Sequence, residues 1–308
     1  MTIHHNFIGC DIGKEAIDIF DRRMARFCRI DNNEAALSAF AQRLDRASDL
    51  VVFEATGHCD RLLRLCLAQA GIGFARVNPK TARRFAQARG RLAKTDRIDA
   101  RSLAEMGAMF ALTAEAPPCP VRERLAALAR RRDQLVEARA IERRHLGDAF
   151  DPAIRTDIQA MIVTLGEKIA AIEAMIDEQM ESGHLAEEAR RLASAPGIGK
   201  VTALTLLAHM PELGSLSPKA AASLSGLAPF NDDSGKRSGR RRIKGGRPRV
   251  RKALYMAALG AIRASTRLRS FYEAVTARTG AAKAGIIAVA RKLITILNAI
   301  QRDKTEYA

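Results

Sequence analysis

Paired cysteines are missing from this chain. Its five cysteines, at 10, 28, 59, 66 and 119, are odd in number and contain no CxxC pair, and its six histidines are scattered. That excludes a disulfide framework and a zinc site, and leaves reduced thiols that belong mostly in a core. No apolar run approaches the length of a membrane-spanning helix, and the polar start MTIHHNF is not that of a signal peptide. The expectation is a cytoplasmic chain that uses no membrane and shares its space with nucleic acid. Negative charge is also in short supply: 34 Asp and Glu stand against 51 Lys and Arg, for a net charge of +17 and a pI near 10.3. Such a balance calls for a polyanionic partner, with nucleic acid first in line. A length of 308 residues is enough for two or three domains with a proper core.

What is present begins with strands. Residues 7–12, 16–20 and 26–30 are short apolar or alternating runs, separated by breaks at Gly13-Lys14 and Arg22-Arg23, which reads as a three-strand meander. Asn32 or Asn33 is placed to cap a helix reaching about Ala47, with Leu37, Phe40, Ala41 and Leu44 on one face. Residues 49–54 read as a buried strand ending in Glu54; Thr56-Gly57 turn the chain into a helix near 59–70, and another strand follows at 73–78. With a closing helix that opens at Lys94, the order β-β-β-α-β-α-β-α is that of an α/β ribonuclease-H-like nuclease domain.

That order gives four carboxylates a common address. Asp11 interrupts an apolar first strand, Glu54 ends the fourth, and in this topology those strands are neighbours. Asp96 and Asp99, three apart in Lys94-Thr95-Asp96-Arg97-Ile98-Asp99-Ala100, share one face of the closing helix. An isolated DxxD is also what a salt-bridged surface helix carries, Asp11 also suits a strand-end turn, and Glu54 also suits a helix cap. Burying an unpartnered polar group costs roughly 2–7 kcal/mol, so four converging acids need a shared cation. Mg²⁺ takes oxygen ligands, and two ions about 3.5–4 Å apart serve phosphoryl transfer by activating the attacking oxygen and steadying the leaving one. Residues 79–93 add five Lys or Arg and no acid, and with Lys94 and Arg97 they form a strip able to meet phosphates beside that site. A solvated helix face has the same composition.

After Pro117-Pro118-Cys119-Pro120 the composition turns helical and Ala- and charge-rich. Residues 121–145 read as one basic helix. Gly147 to Pro152 break it, and a second helix carries Ile158, Ile162, Leu165, Ile169, Ile172 and Ile176 in steps of four and three, the seam of a coiled coil. The two helices either fold back as a hairpin or pair with a second subunit. Pro196-Gly197-Ile198-Gly199-Lys200 before an apolar helix reads as a helix-hairpin-helix-like motif, in which Gly197, Gly199 and Lys200 approach a phosphate; a tight turn without ligand is the other reading. It is not a nucleotide-binding P-loop, because Ser194 and Val201 stand at the wrong positions. Lys236 to Lys252 holds ten Lys or Arg in seventeen residues and no acid. Lys236, Arg237, Arg240, Arg241, Arg242 and Lys244 are its expected nucleic-acid contacts. Helices are expected at 249–264 and 284–301.

The motifs GxDIGK at 9–14, FEATG at 53–57, KTDRIDA at 94–100, APGIGKVTA at 195–203 and GLAPFNDDSGKRSGRRRIKGGRPRVRKALYMAA at 226–258 together resemble the insertion-sequence-110 family of DEDD transposases. The resemblance implies a RuvC-like nuclease domain over 1–115, a helical coiled-coil linker over 116–185, and a mostly α transposase domain over 186–308. It implies that Asp11, Glu54, Asp96 and Asp99 hold Mg²⁺, and that Ser234 of the Ser-Gly motif is a nucleophile that joins DNA covalently, with Ser238 its rival. It further implies a structured bridge RNA that pairs with donor and target DNA, and a homo-oligomer, dimer or tetramer, in which acids and serine meet between protomers. The competing enzyme reading is a resolvase-like endonuclease that uses metal-activated water. A non-catalytic nucleic-acid-binding protein is the reading from another class. A tyrosine recombinase is disfavoured, since Tyr255, Tyr272 and Tyr307 have no Arg-His-Arg constellation around them.

Overall fold

In the computed structural model, which describes residues 6–57, 59–90, 95–181, 185–231 and 241–307, three N-terminal strands run as expected: β1 (Asn6–Ile12), β2 (Ala16–Asp21) and β3 (Arg26–Asp31). Helix α1 (Glu34–Gln42) is capped by the Asn33 carboxamide, which accepts from the Ala36 N–H at 2.9 Å. Then come β4 (Asp49–Glu54), α2 (Arg61–Gln69), β5 (Gly73–Val77), α3 (Pro79–Ala88) and α4 (Asp96–Met109). The sheet order is β3-β2-β1-β4-β5, with β1 antiparallel to β2 and parallel to β4. Asp11 and Glu54 thus end adjacent strands that point the same way. These residues form one compact unit, Met1–Pro118.

Period-2 alternation sorts the side chains onto two covered faces. Ile8, Cys10 and Ile12 of β1 and Val51 and Phe53 of β4 pack with Leu37 and Phe40 of α1 and Leu63 and Leu67 of α2. Phe7 of β1, Leu50 and Val52 of β4 and Ala75 and Val77 of β5 pack with Phe85 of α3 and Leu103 and Met106 of α4. Asp11 is in phase with Phe7, and Glu54 with Leu50 and Val52, so both acids lie on the α3/α4 face. Gly9 lies between Phe7 and Asp11 on that face. A Cβ there would stand 1.9 Å from the Ala100 carbonyl oxygen and 2.6 Å from the Ala104 nitrogen, both backbone atoms of α4. Only a glycine lets the helix come this close.

The second unit, Cys119–Ala308, is helical. Its elements are α5 (Pro120–Asp148), α6 (Pro152–Glu181), α7 (Ala186–Ala193), α8 (Lys200–His209), α9 (Pro218–Leu224), the two-residue strands β6 (Pro229–Phe230) and β7 (Arg242–Ile243), α10 (Pro248–Ala264), α11 (Thr266–Thr279) and α12 (Ala282–Asp303). Helices α5 and α6 fold back on one another within the chain, joined by Arg132 Nε to Glu173 at 2.7 Å and by Arg155 Nη1, which donates to the Leu146 and Ala149 carbonyls. Of the expected seam, Ile169 and Ile176 are buried and Ile158, Ile162, Leu165 and Ile172 half-buried, each less exposed than its neighbours Ala160, Met161 and Val163.

The 116–185 stretch does not stand apart from the C-terminal helices. Leu125 and Ala129 of α5 and Ile176 and Met180 of α6 lie in the same core as Leu206 of α8, Leu254 of α10 and Leu293 of α12. Helix α12 corrects a second expectation. At 22 residues it is long and apolar enough to cross a membrane by length and composition, yet Val289, Leu293, Ile294 and Leu297 are the centre of this core. Its buried Asn298 donates to the Leu216 carbonyl and accepts from the Gly214 N–H, which ties the helix to a protein loop.

Gly9→Ala is expected to lower the unfolding free energy of the first unit by about 2–3 kcal/mol, since backbone rather than a yielding side chain blocks the added methyl. Urea denaturation monitored at that unit checks this, and an unchanged midpoint would show that α4 does not rest on β1.

Candidate metal centre and nucleic-acid interface

All four sequence-predicted acids line one cavity of about 370 Å³, which Arg83 of α3 also lines. Asp11 and Glu54 reach it from the ends of β1 and β4, and Asp96 and Asp99 from the first turn of α4. That turn is set by Thr95, the N-cap, whose hydroxyl accepts from the Ile98 N–H at 3.3 Å; the helix begins at Asp96, later than the expected opening at Lys94. Asp11, Glu54 and Asp99 are half-buried, while Asp96 is exposed. Carboxylates at a helix N-terminus sit favourably against its dipole, which offsets part of their mutual repulsion.

Among the described residues the cavity wall offers only oxygen donors, four carboxylates and the Ser102 hydroxyl, with no thiolate or imidazole. That chemistry fits a hard divalent ion and not zinc. As the side chains stand, no three of His, Cys, Asp or Glu among the described residues are close enough together to hold an ion.

Helix α4 is docked by more than Gly9. The Arg97 guanidinium lies 4.7 Å from the Phe27 ring centroid, and Arg101 lies 5.7 Å from that of Phe20; the two rings are themselves 4.5 Å apart. Arg97, expected to meet phosphate, is exposed and its guanidinium lies over Phe27 of β3. Lys94 lies outside the described residues, as do Ser234, Ser238, Lys236, Arg237 and Arg240.

The glycines of 197–199 divide by role. Gly197 has φ +77°, and a Cβ on it would meet the Ala257 oxygen at 2.3 Å and the Ala261 nitrogen at 2.4 Å, so it is required by the close passage of α10. Gly199, the N-cap of α8, has open space where a Cβ would stand. Lys200 is ion-paired with Asp177 of α6. Gly199 and Lys200 are the exposed part of this motif.

The basic run after the serines also divides. Arg241, Arg242 and Lys244 are exposed beside the β6–β7 ribbon, in which Pro229 pairs with Ile243 and Phe230 with Arg242. Sequence reasoning missed this ribbon, whose two-residue strands carry no period to detect. Arg247, Arg249 and Arg251 turn inward. Arg247 donates through both terminal nitrogens to the Glu212 carboxylate at 2.7 Å and to the His209 carbonyl at 2.7 Å. Arg249 pairs with Asp133 at 2.8 Å and lies 3.3 Å from His209 Nε2, and Arg251 donates to the Gly245 carbonyl at 2.9 Å. A guanidinium only donates, so His209 Nε2 is the acceptor and the ring is neutral. Burial, followed by the charges of Arg249, Arg130 and Arg247, pushes the His209 pKa down to about 4.

Two family models match the chain: one described as a transposase, that of the IS110-type DEDD domain, over residues 8–152, and one described as the transposase IS116/IS110/IS902 family over residues 189–273. The pilin gene-inverting protein of Moraxella bovis is 27% identical over 98% of this chain and 97% of that protein. The insertion element IS110 uncharacterized 43.6 kDa protein of Streptomyces coelicolor is 31% identical over 49% of this chain. This match spans 37% of the Streptomyces protein, and the match to the insertion element IS900 uncharacterized 42 kDa protein of Mycobacterium paratuberculosis likewise spans 37% of that relative.

A histidine with a lowered pKa stabilises the fold while neutral. Above the unfolded value of 6.5 the two states hold equal protons at His209; below it only the unfolded chain gains one, until about pH 4. The second unit should therefore lose stability as pH falls from 6.5 towards 4, and His209→Gln should flatten that loss. Urea midpoints of both proteins at several pH values test this; parallel profiles would show that His209 is not held neutral.

Proposed function

The chain belongs to the IS110 family of transposases, and on that premise we propose that it cuts and rejoins the DNA strands of a mobile element, using divalent metal at Asp11, Glu54, Asp96 and Asp99 and a serine nucleophile at Ser234. The observation that carries the reading is the convergence of four carboxylates from two strand ends and one helix on a single cavity, in a chain whose net charge is +17. A bound pair of Mg²⁺ ions supplies charge neutralisation at the reacting phosphate and a lowered pKa for an oxygen bound there.

The chain's own residues do the rest. Asp11 and Glu54, fixed on adjacent parallel strands, set the spacing of the site, and Asp96 and Asp99 close it from a helix start. Arg83, in the same cavity wall, is placed to meet a phosphate oxygen. In the serine step Oγ of Ser234 bonds to phosphorus and the P–O3′ bond breaks; the hydroxyl proton leaves Oγ and the 3′ oxygen takes one up. The strand is left with a 3′ hydroxyl and a 5′ phosphoserine link. Attack by the 3′ hydroxyl of another strand reverses the step and joins the two. Exposed Arg241, Arg242 and Lys244, with Lys236, Arg237 and Arg240, contribute sequence-independent phosphate contacts.

Sequence choice in this reading belongs to a bridge RNA that pairs with donor and target DNA, so the protein recognises backbone and shape. A dimer or tetramer around RNA and DNA brings acids and serine together, in the cytoplasm and on the nucleoid when bound. The same proposal assigns the nuclease role to 1–115 and the transposase role to 186–308, with the 116–185 helices a linker in function that shares the core of the latter.

Reaction of the full chain with its element DNA, bridge RNA and Mg²⁺ should yield a covalent protein–DNA adduct on denaturing gels. Ser234→Ala should abolish the adduct and Ser238→Ala should retain it, while Asp11→Asn or Asp99→Asn should reduce cutting at least a hundred-fold, roughly the size of losing one electrostatic catalyst. Cutting without any adduct would replace the serine step by water attack. Full cutting by Asp11→Asn would remove the metal reading altogether.

A further inference from the structure

Asp18 of β2 is the register partner of Asp11 on β1, so the two side chains project on the same face of the sheet. Directly opposed carboxylates repel, and Asp18 is confined, its side chain only 13% exposed against 64% for Asp96. Arg29 of β3 answers it. Its Nη1 lies 3.2 Å from Asp18 Oδ2 and 3.9 Å from Asp96 Oδ2. The first contact is a hydrogen-bonded ion pair and the second is a longer electrostatic one. A cavity of about 380 Å³ shares Asp11 and Asp96 with the four-acid cavity and is otherwise walled by residues that include Lys14, Asp18 and Arg29.

The sheet therefore carries a cation whose one terminal nitrogen is hydrogen-bonded to a confined acid and also faces an acid of the metal centre. We propose that Asp18 and Arg29 are a positioning pair: Arg29 acts as a built-in counter-charge that holds Asp96 in the metal-free protein and sets how tightly the four acids take a divalent ion. The proposal rests on the reading of those acids as a metal site.

The geometry gives each member a distinct effect. Asp18 anchors Arg29 to β2, so when Asp96 rotates towards an ion the guanidinium stays with Asp18 instead of following. Loss of the Arg29 charge leaves Asp11, Asp18 and Asp96 with less positive charge nearby, which draws a divalent ion more strongly while releasing Asp96 from its guide. Loss of the Asp18 charge removes one negative group beside the site and frees Arg29 to pair fully with Asp96, which competes with the ion. Neither residue touches the reacting phosphate in this account. A purely structural cross-link between sheet and helix would weaken metal binding whichever partner were removed, so the sign of the change separates the two.

Mn²⁺ titrated into the full chain by isothermal calorimetry at fixed ionic strength tests this, with Asp99→Asn as the reference for loss of the site. Arg29→Gln should bind Mn²⁺ about five-fold tighter and Asp18→Asn about five-fold weaker, the scale expected for one unit charge acting on a divalent ion across a solvated site. The double variant Asp18→Asn/Arg29→Gln should return to within about two-fold of the parent, as charge compensation requires. Arg29→Lys keeps the charge, serves if Arg29→Gln fails to fold, and should leave the Mn²⁺ affinity within about two-fold of the parent. Shifts of the same sign in the two single variants, no shift in either, or a large change in Arg29→Lys would overturn the pair while leaving the metal site standing. Parent affinity no better than that of Asp99→Asn would overturn the metal reading, and the pair with it.

Discussion

The contact between α4 and β1 at Gly9 is the constraint on which the site depends. A strand and a helix normally stand about 10 Å apart with side chains between them. Here the backbone of Ala100 and Ala104 comes within the volume a methyl group would take. The consequence is felt two residues further along the strand, at Asp11, and one turn back along the helix, at Asp96 and Asp99. Carboxylates on short side chains share an ion only when their backbones approach closely, and an ordinary side chain at residue 9 would hold them apart. Arg97 over Phe27 and Arg101 over Phe20 then fix the helix against sliding along the sheet.

Much of that arrangement was legible from the residues. Alternation in β1 and β4 placed Asp11 and Glu54 on one face, the element order made their strands neighbours, and a three-residue spacing put Asp96 and Asp99 together. Asp18 and Arg29 went unnoticed because an acid in an alternating strand and an arginine on an exposed edge strand look ordinary one at a time. Register made them partners, and register is a property of the pairing, not of either strand. The signal that was available is the phase of Asp18, which comes seven residues after Asp11 across one tight turn and so must return to the same face.

Arginines were the harder case in the second unit. The run from Arg241 to Arg251 reads as one uniform basic stretch, yet it splits at Gly245-Gly246, where φ is +65° at both residues. Before that turn the charges face solvent; after it Arg247, Arg249 and Arg251 are spent on Glu212, Asp133 and backbone carbonyls. Charge density cannot tell a guanidinium that awaits a phosphate from one that already has a carboxylate. Arg97 and Lys200 also have partners, an aromatic ring and Asp177, yet both remain exposed. Gly197 is a parallel lesson: its place in a glycine-rich turn suggested ligand approach, and what approaches is α10.

The two scales of electrostatics in this chain pull in opposite directions, and that tension favours metal at the acids. A net charge of +17 gathers a polyanion from a distance. Screening confines each local group to about 8–10 Å at ordinary salt, so a phosphate arriving at the end of β1 responds to the nearest charges and not to the sum. There, among the described residues, it meets Asp11, Glu15, Asp18, Glu54, Asp96 and Asp99, against Lys14, Arg29 and Arg83. An excess of negative charge at this spot repels a phosphodiester. A pair of divalent cations reverses the sign of the site without altering the fold that presents it, so the long-range and local fields act together only when the ions are bound. Under the proposed function, the basic protein gathers DNA to a centre that accepts it once metal is bound and resists it otherwise.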